Sequence, residues 1–229
     1  MKTLCRDIAV QEGPDRLLFG NSRLKLEIRK AGGEWLALTA KGVPGNIIAY
    51  DQPTAAVDFC LDGECMIQRH GAALVRYDTS VDRRRKAAAL HLVLGVIPTA
   101  PQGPYQFELT CTYTLFAGRG RLERSARLLR NAGGKASASV CHMEGFAFRL
   151  PGVAVGDPAD CTVDVPGPWF PNTYVAPVTP YEWLKDQSLA FHSAPDGSFG
   201  LLAVSNNSRN MTLACWMDTG GETGEAGEG

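Results

Sequence analysis

The chain has 229 residues, of which 45% are hydrophobic and 21% charged, with a formal net charge of −1. That length suits one large all-β domain or two small ones, and it buries roughly 70–75% of the unfolded surface, so no disulfide or metal is needed to hold a core. The near-neutral charge gives no electrostatic footprint for nucleic acid, and no stretch approaches the roughly 20 apolar residues of a membrane span.

Helix signals are almost absent, and 25 glycines and 14 prolines punctuate short alternating runs. That spacing predicts an antiparallel β-sandwich or barrel rather than an α/β fold. The opening MKTLCRDIAVQEG meets polar and acidic residues too early for a signal peptide, so a cytoplasmic location is expected. Leu24, Leu26 and Ile28 then alternate with Lys25, Glu27 and Arg29, and the turn Ala31-Gly32-Gly33 leads into Trp35 to Thr39, a hairpin. Ala56 to Phe59 and Met66 to Gln68 flank Asp62-Gly63, a strong two-residue hairpin turn that sets Cys60 opposite Cys65. The seven cysteines are odd in number and lack CxxC spacing, which indicates neither a disulfide framework nor a zinc site. Cys60 and Cys65 read as two free thiols in a reducing cytosol, with a cross-strand disulfide as the alternative.

Arg83-Arg84-Arg85-Lys86 lies in the polar segment Asp78 to Lys86 and reads as a solvated turn. Ala88 to Val96 predicts a strand buried on both faces, with His91 a satisfied core residue. Phe107, Leu109, Cys111, Tyr113 and Leu115 alternate with Glu108, Thr110, Thr112 and Thr114, the period-2 signature of a half-buried strand. Gly118-Arg119-Gly120 turns the chain, Leu122 to Leu129 runs back, and Asn131 to Gly134 turns it again. The following strand places His142, Glu144, Phe146 and Phe148 on one face, an imidazole and a carboxylate among aromatics. His142 reads either as part of a sugar-binding surface or as a buried histidine bonded to a neighbour.

Pro151 to Pro180 holds seven prolines and predicts a long ordered loop with one short strand at Cys161 to Val165. Trp169, Tyr174, Tyr181 and Trp183 cluster there, either stacking on sugar rings or anchoring the loop. Asp196-Gly197 turns into Leu201 to Val204, and Met211 to Met217 is the last strand, with Trp216 in the core. Gly220 to Gly229 is a Gly/Glu tail or linker beyond a domain spanning residues 1–219. No GxxxxGK[ST], strand-linked GxGxxG, HExxH or GxSxG phrase is present, so nucleotide, zinc-protease and serine-hydrolase readings lack support.

The order of these elements resembles the galactose mutarotase-like supersandwich, found in aldose 1-epimerases and in the N-terminal domains of large glycoside hydrolases. The resemblance rests on the hairpin NSRLKLEIRKAGGEWLAL, then Arg69-His70-Gly71, the strands FELTCTYTL and RLERSARLL, and CHMEGFAFRLPG, over Asn21 to Gly152. It implies His142 as general acid and His70 as sugar orienter, with Arg69, Glu144, Trp169, Tyr174 and Asp218 on the substrate side. The resemblance also implies a general base near the C-terminus, where this chain has only Glu222, Glu225 and Glu228 in the Gly-rich tail. A base must be held within about half an ångström of its working position, which such a tail cannot do. The expected function is therefore a carbohydrate-binding domain, the N-terminal part of a larger carbohydrate-active enzyme, not catalytic alone. Its partners would be a sugar or glycan and a further catalytic domain of the same polypeptide, with no nucleic acid, membrane, cofactor or metal. A complete aldose 1-epimerase and a structural domain-contact module are the alternatives. The C-terminal side is expected to stop short, leaving an unpaired edge near Leu213 and Trp216.

Overall fold

The computed structural model describes residues 1–43, 45–47, 58–61, 64–66, 71–99, 104–131, 140–144, 147–148, 161–164, 189–190, 201–206, 208 and 211–216. Every described element is a β-strand. Among the described residues no helix is long and apolar enough to cross a membrane.

Five strands, β1 (Lys2–Cys5), β2 (Ile8–Glu12), β3 (Arg16–Gly20), β4 (Leu24–Arg29) and β5 (Trp35–Ala40), form one antiparallel meander in chain order. The short hairpin β6 (Asp58–Leu61) and β7 (Glu64–Cys65) follows. A second large sheet has the order β11-β10-β9-β8, built from β8 (Ala72–Asp82), β9 (Ala87–Pro98), β10 (Tyr105–Phe116) and β11 (Leu122–Arg130). Next come β12 (Val140–Glu144), β13 (Ala147–Phe148), β14 (Cys161–Asp164), β15 (Leu189–Ala190), β16 (Leu201–Asn206) and β17 (Met211–Trp216). They give three small sheets, ordered β12-β6-β7, β13-β15 and β14-β16-β17.

The two large sheets pack as a sandwich because each alternates apolar and polar residues and must bury one face. Ile8, Leu17, Phe19, Leu26 and Ile28 from the first sheet share one core with Leu90, Leu92, Leu94, Leu109, Tyr113 and Leu115 from the second. Each such aliphatic side chain, fully removed from water, contributes about 2 kcal/mol before the entropy of ordering it is subtracted. Trp35 closes one side, its ring centroid 5.7 Å from that of Tyr113 and tilted by 60°. Gly33 has φ of 74°, and a Cβ there would come within 2.8 Å of Leu94 in the opposite sheet, so glycine suits this close approach.

Polar contacts fasten the sandwich where its turns meet. Asn21, between β3 and β4, is buried, and its Nδ2 donates to the carbonyls of Phe116 (2.7 Å) and Arg119 (2.9 Å) at the β10–β11 turn. Its Oδ1 accepts from the backbone of Arg23 and Leu24, both at 2.7 Å, so all four of its hydrogen-bonding capacities are used. The neighbouring Asp7 carboxylate accepts from Ser22 Oγ at 2.5 Å and from the Gly118 amide at 3.1 Å. Slight burial pushes the Asp7 carboxyl upward, but hydrogen bonds from Ser22 and Gly118 outweigh it and hold the group below the usual carboxylate range. At another edge Tyr77 of β8 donates its hydroxyl to Glu12 of β2.

The Gly118 turn and the β10–β11 pairing fall where the alternation predicts, with Leu115 opposite Leu122. β9 is buried along both faces with His91 only half buried. The basic run 83–86 is an exposed turn, although Arg85 also bonds Glu123 at 3.0 Å and lies 4.9 Å over the Phe116 ring. Several elements differ from expectation. β1, β2 and β3 precede the first hairpin read from the sequence, and the segment read as polar from Asp78 onward begins as strand, since β8 runs to Asp82. β6 and β7 cover Asp58–Leu61 and Glu64–Cys65, whereas residues 56, 57, 62, 63, 67 and 68 of the expected hairpin lie outside the described residues. The short strand expected from Cys161 is β14, and β17 covers the last predicted strand.

Candidate functional site

The residues singled out for sugar chemistry fall largely on β12 and its neighbours. β12 pairs antiparallel with β6, which places His142 opposite Cys60, Met143 opposite Phe59 and Glu144 opposite Asp58. β6 pairs in turn with β7, placing Cys60 opposite Cys65 and Leu61 opposite Glu64. Directly opposed residues of antiparallel strands share a face, and so do residues two apart on one strand. Asp58, Cys60, Cys65, His142 and Glu144 therefore occupy one face by register, in two rows. One row runs Cys65, Cys60, His142 across three strands, and the other sets Asp58 against Glu144. The irregularity in β12 lies between Val140 and His142, before the rows begin.

Chemically, that face combines groups able to move a proton, to accept hydroxyl hydrogens and to ligate a metal. Asp58 was not singled out in the sequence. The only available signal was that it lies two residues before Cys60, because the partner strand β12 comes from far along the chain. Arg69, His70, Trp169, Tyr174 and Asp218 lie outside the described residues, as do Phe146 and the aromatics Tyr181 and Trp183. The separation of His70 from His142 lies outside them too.

His91 belongs to a different surface. It sits in β9 on the side of the second sheet away from the core, opposite Thr112 of β10 and Asp78 of β8. Its Nε2 lies 2.8 Å from Ser80 Oγ and its Nδ1 2.9 Å from Thr112 Oγ1. Both ring nitrogens are engaged, so the imidazole is satisfied as expected, but by hydroxyls on the outer face rather than within the core. Sequence spacing gave no sign of this trio, since its members come from three strands.

Within the core, burial pushes the Cys111 thiol upward, which keeps it protonated and inert. Burial likewise pushes Tyr113 upward, and the Arg124 guanidinium lies 5.9 Å from its ring and 5.8 Å from that of Trp35. On the first sheet an open cleft is lined by Pro14, Asp15, Arg16, Glu27, Arg29 and Leu36. Arg16 there pairs with both Asp15, at 3.1 Å, and Glu27, so those charges engage one another. Among residues with described side chains, no group of three or more His, Cys, Asp or Glu could hold a metal ion.

Neither a protein-family model nor a curated protein matches this chain.

Proposed function

We propose that the chain is a carbohydrate-binding β-sandwich domain, the N-terminal part of a larger glycoside hydrolase or related carbohydrate-active enzyme, and not catalytic alone. The observation that carries this reading is the register of β12 on β6, which puts His142, Glu144 and Asp58 on one face. Carboxylates accept hydrogen bonds from vicinal sugar hydroxyls and an imidazole can donate or accept, so this set matches the polar edge of a pyranose. The all-β frame and the resemblance in element order support the same reading. Arg69, His70, Trp169, Tyr174 and Asp218 would complete the site, with the aromatics stacking on the apolar face of the ring.

Isothermal titration of the full chain with glucose, galactose and their β-linked and α-linked oligosaccharides tests the proposal. Saturable binding that Glu144→Gln weakens at least about tenfold, one or two lost charge-assisted hydrogen bonds, is the expected result. Binding that is absent for every sugar, or indifferent to Glu144→Gln and His142→Ala in folded protein, would overturn it.

The aldose 1-epimerase reading gains one observation, because Asp58 and Glu144 supply carboxylates on the face of His142. Polarimetry of fresh α-D-glucose separates the two. The binding-domain reading expects the spontaneous rate, whereas an accelerated rate abolished by His142→Ala would establish the enzyme.

A further inference from the structure

We propose that one pole of the sandwich, where four turns of the two large sheets meet, binds an anionic polysaccharide through exposed arginine and lysine side chains. The turns β1–β2, β3–β4, β8–β9 and β10–β11 all lie at this end, and hydrogen bonds tie them together. Asp7 accepts from the Gly118 amide at 3.1 Å, Asn21 donates to the carbonyls of Phe116 and Arg119, and the Ala117 amide donates to the Lys86 carbonyl at 2.9 Å.

The fold gathers here cations that the sequence scatters over more than a hundred positions. The β8–β9 turn carries Arg83, Arg84, Arg85 and Lys86, and the β10–β11 turn carries Arg119 and Arg121. Arg6 and Arg23 occupy the turns of the first sheet, and all eight residues are exposed. Against them the described residues set three carboxylates. Asp7 and Asp82 are engaged by backbone amides of Gly118, Arg84 and Arg85. Only Glu123 pairs with arginine, with Arg85 at 3.0 Å and Arg121 at 2.5 Å. The net charge of −1 conceals this pole, because 23 basic and 24 acidic residues cancel over the whole chain. At the opposite end the charges neutralise one another, Arg16 with Asp15 and Glu27, and Lys30 with Glu12.

Backbone geometry adds an independent observation. Arg6 and Lys86 have φ of 52° and 53°, left-handed positions that glycine fits at lower cost. Neither side chain is buried, so packing does not account for a basic residue at either position. The arginines are also held in place. Arg85 and Arg121 lie 4.9 and 5.1 Å from the centre of the buried Phe116 ring, with Glu123 bonded to both. Arg85 uses one terminal nitrogen on Glu123 and keeps further N–H donors for an incoming oxyanion.

The layout selects the kind of anion. Turns on one sheet stand two strand spacings apart, about 10 Å, and the two sheets lie about 10 Å apart. A small anion would meet one turn, whereas a polymer with a carboxylate or sulfate on successive sugars crosses several. The four turns expose no aromatic side chain on which a nucleic-acid base could stack. None of the exposed large apolar residues, Met1, Val75, Val81 and Leu129, lies in these turns to enter a bilayer. The proposal goes beyond the sugar reading of β12 and uses none of its residues, so either can fail alone.

The test is fluorescence anisotropy of the full chain against labelled heparin and labelled polygalacturonate, a sulfated and a carboxylated polymer, with neutral dextran as control. Saturable binding to at least one acidic polymer is expected, falling at least about tenfold between 50 and 200 mM salt, with none to dextran. Replacing Arg83, Arg84 and Lys86 together by Ser should weaken it at least about tenfold, and Arg29→Ser at the other pole should leave it unchanged. Arg6→Gly separates binding from folding. It should raise the melting temperature by relieving the left-handed backbone, yet weaken binding about threefold. Absence of saturable binding, salt-insensitive binding, or binding indifferent to the triple substitution and to Arg6→Gly would overturn the proposal. Tighter binding to duplex DNA or to phosphatidylserine vesicles than to either glycan would overturn it too, by giving the pole to another class of partner.

Discussion

The two large sheets and the small β12–β6–β7 sheet are joined in opposite ways. In the large sheets each strand hydrogen-bonds to its neighbour in sequence, from β1 to β5 and again from β8 to β11. In the small sheet β12 reaches back across the whole second sheet to pair with β6. A meander closes short loops, so local turns and alternating residues suffice to specify it. A pairing between distant segments closes a long loop and needs specific contacts to hold its register. The frame is therefore assembled from local rules, and the face carrying His142 and Glu144 depends on one long-range choice.

The largest effect should come from the clasp that joins the frame's two halves. Asn21→Ala would strand the Arg119 carbonyl and two amides of β4's entry and leave the Phe116 carbonyl with only the Arg119 amide, costing about 3 kcal/mol in chemical denaturation. A loss under about 1 kcal/mol would mean that the sheets are held by apolar packing alone. Ile97 comes next. It is a β-branched residue at φ 58° within β9, and Ile97→Gly should stabilise by about 1 kcal/mol once that backbone strain is relieved. Loss of stability would show that its side-chain packing outweighs the strain.

The small sheet is sharpened by a weaker effect. Like charges directly opposite are unfavourable, so Glu144→Gln should raise stability by about 0.5 kcal/mol, and less when Asp58 is already Asn. Additive effects of the two substitutions would deny that β12 and β6 pair in this register. The smallest effect is alkaline. The Glu12 carboxylate holds the Tyr77 phenol up at about 12, above its ordinary value of 10.0. With the folded value raised, the contact stabilises fully below pH 10 and is lost as pH rises toward 12. Tyr77→Phe should flatten the stability curve across that window.

Sequence patterning exposed β4, β5, β9, β10 and β11 because each alternates cleanly or is apolar throughout. It also exposed the Cys60–Cys65 pairing, because a two-residue turn fixes register by itself. β3 escaped because Leu17, Leu18 and Phe19 are consecutive apolar residues, which erases the period even though only Leu17 and Phe19 are fully buried. β8 escaped because a register shift between Leu74 and Arg76 breaks its alternation, and because an edge strand can carry Arg76, Asp78 and Asp82 toward solvent. At the candidate site, His142 and Glu144 were legible as strand neighbours. Asp58 as their counterpart was not, since no local pattern announces which distant strand will pair. Among the described residues β17 ends its sheet on one side, and residues 217–229, on which the expected edge near Leu213 and Trp216 depends, lie outside them.

The Asn21 clasp has a consequence in time. Its two carbonyl partners lie 95 and 98 residues away in sequence, and they converge on one amide group only after the β10–β11 turn has formed. An interaction with such sequence separation is made late, after the hairpins have zipped. Its removal should then leave the folding rate nearly unchanged and accelerate unfolding, the behaviour of a residue whose native contacts are absent from the transition state. Asn21 would thus set how long the closed sandwich lasts rather than how quickly it is reached.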